Sequence, residues 1–190
     1  MFRLLTLLLA FAVSACATTA DRPGDPLFRE LAALCGQAFE GRIVSPPVPA
    51  DAAFAGKRLV MHVRECSDSA LRVPFHVGDD RSRTWVVTRT VTGLRLKHDH
   101  RHKDGSEDRV TQYGGDSTGG GLRQGFPADA FTRELLVREG NAPGAANVWA
   151  LELTPARTFA YELRRPGRFF RVEFDLTRPV APPPPPWGAQ

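Results

Sequence analysis

Apolar and polar residues alternate one by one along most of this chain. Phe170, Val172, Phe174 and Leu176 fall on one face of an extended segment, and Arg171, Glu173 and Asp175 on the other. Trp149, Leu151 and Leu153 repeat the pattern, as do Phe159, Tyr161 and Leu163. The two-residue period predicts strands over 39–44, 58–66, 71–77, 84–91, 94–102, 109–113, 122–126, 147–153, 159–163 and 169–176. Ser67-Asp68-Ser69, Thr92-Gly93, Asp104-Gly105, Thr154-Pro155 and Arg165-Pro166-Gly167 supply turn chemistry between them, and 114–121 (GGDSTGGG) reads as a flexible loop. Segment 129–138 suits either a strand or one short helix. Only near the start does the period become helical. Asp25 can cap a helix there, Pro26 suits its first turn, Leu27, Leu31 and Leu34 share a face, Cys35 sits in the last turn, and Gly36 can end the helix.

Short turns without long helical crossovers favour antiparallel neighbours. The predicted class is all-β: an antiparallel meander β-barrel or strongly curved sheet of about ten strands, with one short N-terminal helix. A two-sheet sandwich is the alternative. The domain spans 27–178, and residues 179–190 form a proline-rich tail. Pro182 to Pro186 are consecutive, so the tail is expected to be disordered or to run as an extended polyproline spacer outside the sheet. In layout and size the chain is similar to calycin-type barrels such as lipocalins, and a barrel of eight to ten strands is wide enough for one small, partly apolar ligand. The first strand carries Phe39-Glu40-Gly41-Arg42, where lipocalins usually carry Gly-x-Trp.

Residues 1–15 have the form of an export signal. Arg3 is the positive flank, residues 4–13 are an apolar run too short to span a bilayer, and Ser14 and Ala15 are small. Val13-Ser14-Ala15-Cys16 resembles the lipobox of bacterial lipoproteins, in which the cysteine becomes the lipidated first residue. The resemblance implies lipidation at Cys16, a flexible tether over 16–26 and, from Ala17, the periplasmic face of the outer membrane. Ala15-Cys16-Ala17 also satisfies the small-x-small rule of ordinary secretory cleavage, so a secreted or soluble periplasmic product stays open. Either way Cys35 and Cys66 remain as an even pair in an oxidising compartment, where a disulfide is expected, with two free buried thiols as the alternative. Closing a loop of roughly thirty residues stabilises by about 3–4 kcal/mol in the chain-entropy description.

The formal net charge of +4 comes almost wholly from arginine, since Lys57, Lys97 and Lys103 are the only lysines. Acidic residues are interspersed, so no basic stripe argues for nucleic acid, and export argues against it as a partner. The membrane is the expected partner through the lipid, a small apolar ligand is a second, and the sequence leaves the oligomeric state open.

All five histidines lie between 62 and 102. Leu94 and Leu96 set an inward face that His98, His100 and His102 would continue. Neighbouring members would be about 6.7 Å apart at Cα and the ends about 13 Å, so one adjacent pair at most could chelate an ion. His100-x-His102, Glu107 and Gly114 resemble the first metal motif of cupins, although no later histidine completes a second motif. The candidate metal set is therefore His98, His100, His102 and Glu107, with His62 as a further donor; hydrogen bonding at a barrel mouth is the competing role. Asp79-Asp80 with Arg81 and Arg83 reads as a charge-paired turn or a carboxylate pair. No catalytic residue is assigned, because no serine sits in a nucleophile elbow and no phosphate loop is present. The expectation is an envelope protein whose barrel binds a small ligand or contacts another component. The alternatives are a metal-binding protein, with enzymatic use of the ion in view, and a structural lipoprotein with a filled barrel.

Overall fold

The computed structural model describes residues 24–189. Residues 1–23 and Gln190 lie outside the described residues, so the export signal, Cys16 and most of the expected tether fall beyond it. No described helix is long and apolar enough to cross a membrane.

Twelve strands form one antiparallel sheet that curls into a nearly closed barrel. They are β1 (Ala38–Ile43), β2 (Leu59–His62), β3 (Glu65–Cys66), β4 (Ala70–Val77), β5 (Asp80–Arg89), β6 (Leu94–His100), β7 (Tyr113–Asp116), β8 (Thr118–Gly120), β9 (Arg123–Pro127), β10 (Val148–Thr154), β11 (Thr158–Arg165) and β12 (Arg168–Val180). The order is β7-β6-β5-β4-β2-β1-β12-β11-β10-β9-β8, with the short β3 paired to β4. First and last strands lie side by side, so the meander closes on itself through β1 and β12.

The seam falls between β7 and the β8–β9 hairpin. There the backbone of Asp129 donates to the Gly114 carbonyl at 3.0 Å, and the Thr132 hydroxyl bridges both backbone groups of Gly114 at 2.7 and 2.8 Å. A side chain at Gly115 would place its Cβ 1.9 Å from the Pro127 carbonyl oxygen, so only glycine permits this approach. The glycine-rich stretch expected as a flexible loop is thus two strands. The connection from β6 to β7 is longer than the expected tight hairpin at Asp104-Gly105, which closes a single bridge between Arg101 and Glu107.

Segment 129–138 resolves as a helix, α2 (Ala130–Arg138), because Asp129 caps it by accepting from the Thr132 N–H at 2.8 Å. The N-terminal helix, α1 (Asp25–Ala32), is the one the sequence predicts. Its cap is Gly24 rather than Asp25, which instead pairs with Arg89. Leu27, Phe28 and Leu31 are fully buried, each contributing about 1.5–3 kcal/mol of apolar burial. They plug the end of the barrel where Arg89 and Leu94 sit. Cys35 and Cys66 form a disulfide just after α1, tying the plug to β3.

The outer face holds paired charges. Glu162 is buried beneath Arg123, Arg164 and Arg171, and Asp99 beneath Arg72 and Arg101. β12 reaches Val180, two residues past the expected boundary. The residues beyond it lie against the barrel wall: Arg81 donates to the Pro185 carbonyl at 3.0 Å, the Trp187 N–H donates to the Arg81 carbonyl at 3.0 Å, and Lys103 stands over the Trp187 ring. The tail is therefore docked through residue 189 where a free segment was expected, because the Pro185 carbonyl and Trp187 find partners on β5 and the β6–β7 connection.

Candidate functional site: a cavity at the mouth of the barrel

Strand alternation fills the barrel in layers. Nearest the plug lie Val87 and Leu96, with Phe159 opposite Phe174 across the β11–β12 hairpin. The next layer is aromatic. Trp85 is paired in register with His98, and the Trp85 ring stacks on Phe75 at 4.9 Å and on Tyr161 at 4.6 Å. The last inward positions are polar. Arg83 faces His100 across β5 and β6, and Arg165 faces Arg168 across the β11–β12 turn. Between the aromatic layer and this rim lies a cavity of about 330 Å³. That volume falls at the low end of the roughly 300–1,000 Å³ found for small-molecule sites.

The histidines divide by place. His98 is buried in the barrel wall. Its Nδ1 lies 3.0 Å from the Tyr113 carbonyl, which can only accept, so Nδ1 carries the hydrogen and Nε2 accepts from the Tyr161 hydroxyl at 2.9 Å. Burial drives its pKa down to about 3, only partly opposed by the Tyr113 carbonyl, so the ring is neutral. His100 lines the cavity, with Nε2 3.0 Å from the Tyr113 hydroxyl. Burial and the nearby Arg83 charge lower its pKa to about 4. Burial likewise pushes both tyrosine hydroxyls upward, so Tyr113 and Tyr161 stay protonated.

The remaining candidate metal donors lie elsewhere. His102 falls two positions past the end of β6 and is exposed; the strand's inward run stops at His100 because the chain leaves the sheet there. Glu107 binds Arg101 at 3.0 Å, and His62 lies on the outer face of β2. The expectation that all three histidines of 98–102 face the interior is thus corrected for His102. Among the described residues no group of three or more His, Cys, Asp or Glu side chains is placed to hold a metal ion. Asp80 pairs with Arg83 at 2.5 Å and accepts from the Ser82 N–H at 3.0 Å, as a charge-paired turn does.

The rim arginines are the residues that sequence reasoning missed. The predicted strand ended at Leu163 and assigned Arg165 to a turn. Carrying the Phe159-Tyr161-Leu163 alternation one step further places Arg165 inward. Arg168 is anchored by Asp51 from the turn at Pro49–Asp51. Arg83 stands 5.4 Å from the Phe54 ring centroid, which in turn lies 4.9 Å from Phe170. Arg165 donates to Asn147 at 3.1 Å and, among the described residues, forms no ion pair with a carboxylate. Burial and the neighbouring Arg168 charge lower its pKa.

Fold and site together define a class: an antiparallel barrel with one end plugged by a helix and a polar-rimmed aromatic cavity at the other. No protein-family model, curated protein or solved structure matches the chain in comparisons with known proteins.

Proposed function

We propose that this chain is a small-ligand-binding module of the cell envelope, tethered to the membrane through a lipid on Cys16. The observation that carries the binding role is the cavity. The interior is packed with aromatic side chains up to the Trp85 layer, and then packing stops, leaving about 330 Å³ walled by rings and rimmed by charge. A protein whose barrel served only as structure would gain dispersion and burial energy by filling that space. The envelope setting rests on the lipobox-like leader and agrees with the Cys35–Cys66 disulfide, which suits an oxidising compartment. The outer-membrane periplasmic face follows from Ala17 in the same reading.

The test is direct, because Trp85 and Trp149 line the cavity and report on its contents. Titration with the neutral apolar probe N-phenyl-1-naphthylamine should quench tryptophan emission saturably, with one site per chain. Small molecules extracted from protein purified from envelopes should be enriched over a Trp149→Ala variant. Absence of both effects would leave the filled structural barrel as the correct account. Mass spectrometry of the mature chain decides the anchor: a lipidated N-terminal Cys16 is expected, and a mature chain starting after Cys16 would overturn the tether.

A further inference from the structure

We propose that the cavity selects a small aromatic carboxylate, with the ring between the aromatic walls and the carboxylate on Arg165 and Arg168. This rests on the small-ligand reading above and adds the chemistry of the ligand.

Three features favour an anion. Arg165 and Arg168 occupy directly opposed register positions beside a tight turn, so two guanidinium groups are held together at the rim. Only Arg168 has a carboxylate partner, Asp51, and the Arg168 Nε is buried without a hydrogen-bond acceptor. Arg165 has only the Asn147 amide oxygen. Two adjacent cations with one counter-charge leave a donor set unmet, and a carboxylate can accept from both guanidinium forks. The cavity's own acid, Asp108, accepts from the Val110 N–H, and its charge acts on His100 and Tyr113. On the arginine side Asp51 is paired with Arg168 and its charge also reaches Arg165, so two guanidinium groups share that one carboxylate.

Ring character and size narrow the class further. The space is bounded by flat side chains, among them Trp149, Tyr161, Phe170 and Phe54, which favour offset-stacked or edge contacts with another ring. His98 has both nitrogens satisfied and His100 Nε2 is taken, so the histidine wall offers the ligand mainly ring surface. A volume near the lower limit of small-molecule sites suits one or two fused rings better than a long acyl chain.

The probes are 1-naphthoate, its neutral amide 1-naphthamide, the cation 1-naphthylmethylamine and inorganic phosphate, each titrated against tryptophan emission at low ionic strength. Naphthoate should bind at least about tenfold more tightly than naphthamide, and the amine most weakly. Arg165→Gln should bring naphthoate binding down to the level of naphthamide in the same variant, and Arg165→Lys should restore part of the difference. Arg165 has no carboxylate partner to strand, so the fold should survive; unchanged circular dichroism and urea midpoint verify this. Equal binding of acid and amide, tightest binding by the amine, displacement of naphthoate by equimolar phosphate, or an unaffected Arg165→Gln variant would each overturn the anion assignment while the cavity reading stands. Binding of none of the aromatic probes would overturn the ligand-binding reading itself.

Discussion

Acidification should remove stability through His98 well before the carboxylates respond. The ring is enclosed, donates through Nδ1 to the Tyr113 carbonyl and accepts at Nε2 from the Tyr161 hydroxyl. A second proton would abolish the acceptor and bury a charge with no counter-ion. Its folded pKa is therefore about 3, against about 6.5 in an unfolded chain. The folded value is the lower one, so between these two pH values the unfolded state binds the extra proton. The stabilisation is complete above about pH 6.5 and is lost as pH falls, by about 1.4 kcal/mol per unit. At pH 5.0, about 1.5 units down, His98 alone accounts for about 2 kcal/mol. His100 and His76, both lowered to about 4, act in the same direction over the same window. The lowered carboxylates, such as Asp99 and Glu162, lose their contribution only at more acid pH. Urea unfolding followed by tryptophan emission at pH 7.5 and 5.0 measures the loss, in the wild type and in His98→Gln. The wild type should lose at least about 2 kcal/mol, and the variant about 2 kcal/mol less than the wild type. Identical pH slopes in the two proteins, or a His98 imidazole resonance titrating near 6.5, would refute the argument.

Replacing Cys35 and Cys66 together by Ala should lower the unfolding free energy by about 3–4 kcal/mol, since the bridge spans 31 residues; an unchanged urea midpoint would contradict it. Gly115→Ala should cost about 3 kcal/mol or more in thermal or urea unfolding, because its Cβ would collide with the Pro127 carbonyl, whereas Gly120→Ala, with nothing within 4 Å, should stay within about 0.5 kcal/mol of wild type. Truncation after Val180 should raise the His76 pKa from about 4 toward its ordinary value, because Pro182, Pro183 and Pro184 border the groove in which that buried ring sits; an unchanged imidazole titration by NMR would show that the tail does not shield it.

The barrel was legible because its signal is local. Alternation at 149–153, 159–163 and 170–176 assigns faces to residues regardless of partners, and short turns between them leave an antiparallel meander as the economical outcome. The helix was equally local in its signal, whereas the disulfide, spanning 31 residues, was read from the cysteine count. What escaped depends on contacts across the fold. Gly114 and Gly115 looked like a flexible loop because glycine says only that the backbone is free, while the approach of Pro127 and Thr132 makes them a strand. Segment 129–138 carries both patterns, and the Asp129 cap decides it. The site was half visible. His98 and His100 were placed inward by pattern, but their partners Tyr161 and Tyr113 lie 63 and 13 residues away, and nothing local announces those hydrogen bonds. Arg165 was hidden by the turn residues that follow it, and Asp51, which anchors Arg168, lies 117 residues from it. The tail looked detached because prolines cannot join a ladder, yet the Pro185 carbonyl still accepts from Arg81.

The three tryptophans allow the most direct test. Trp85 and Trp149 line the cavity, and Trp187 lies outside on the docked tail. In a spectrum of the three indole N–H resonances, saturating 1-naphthoate should shift Trp85 and Trp149 and leave Trp187 in place. A shift confined to Trp187, or no shift at saturating naphthoate and naphthamide alike, would contradict a ligand site inside the barrel.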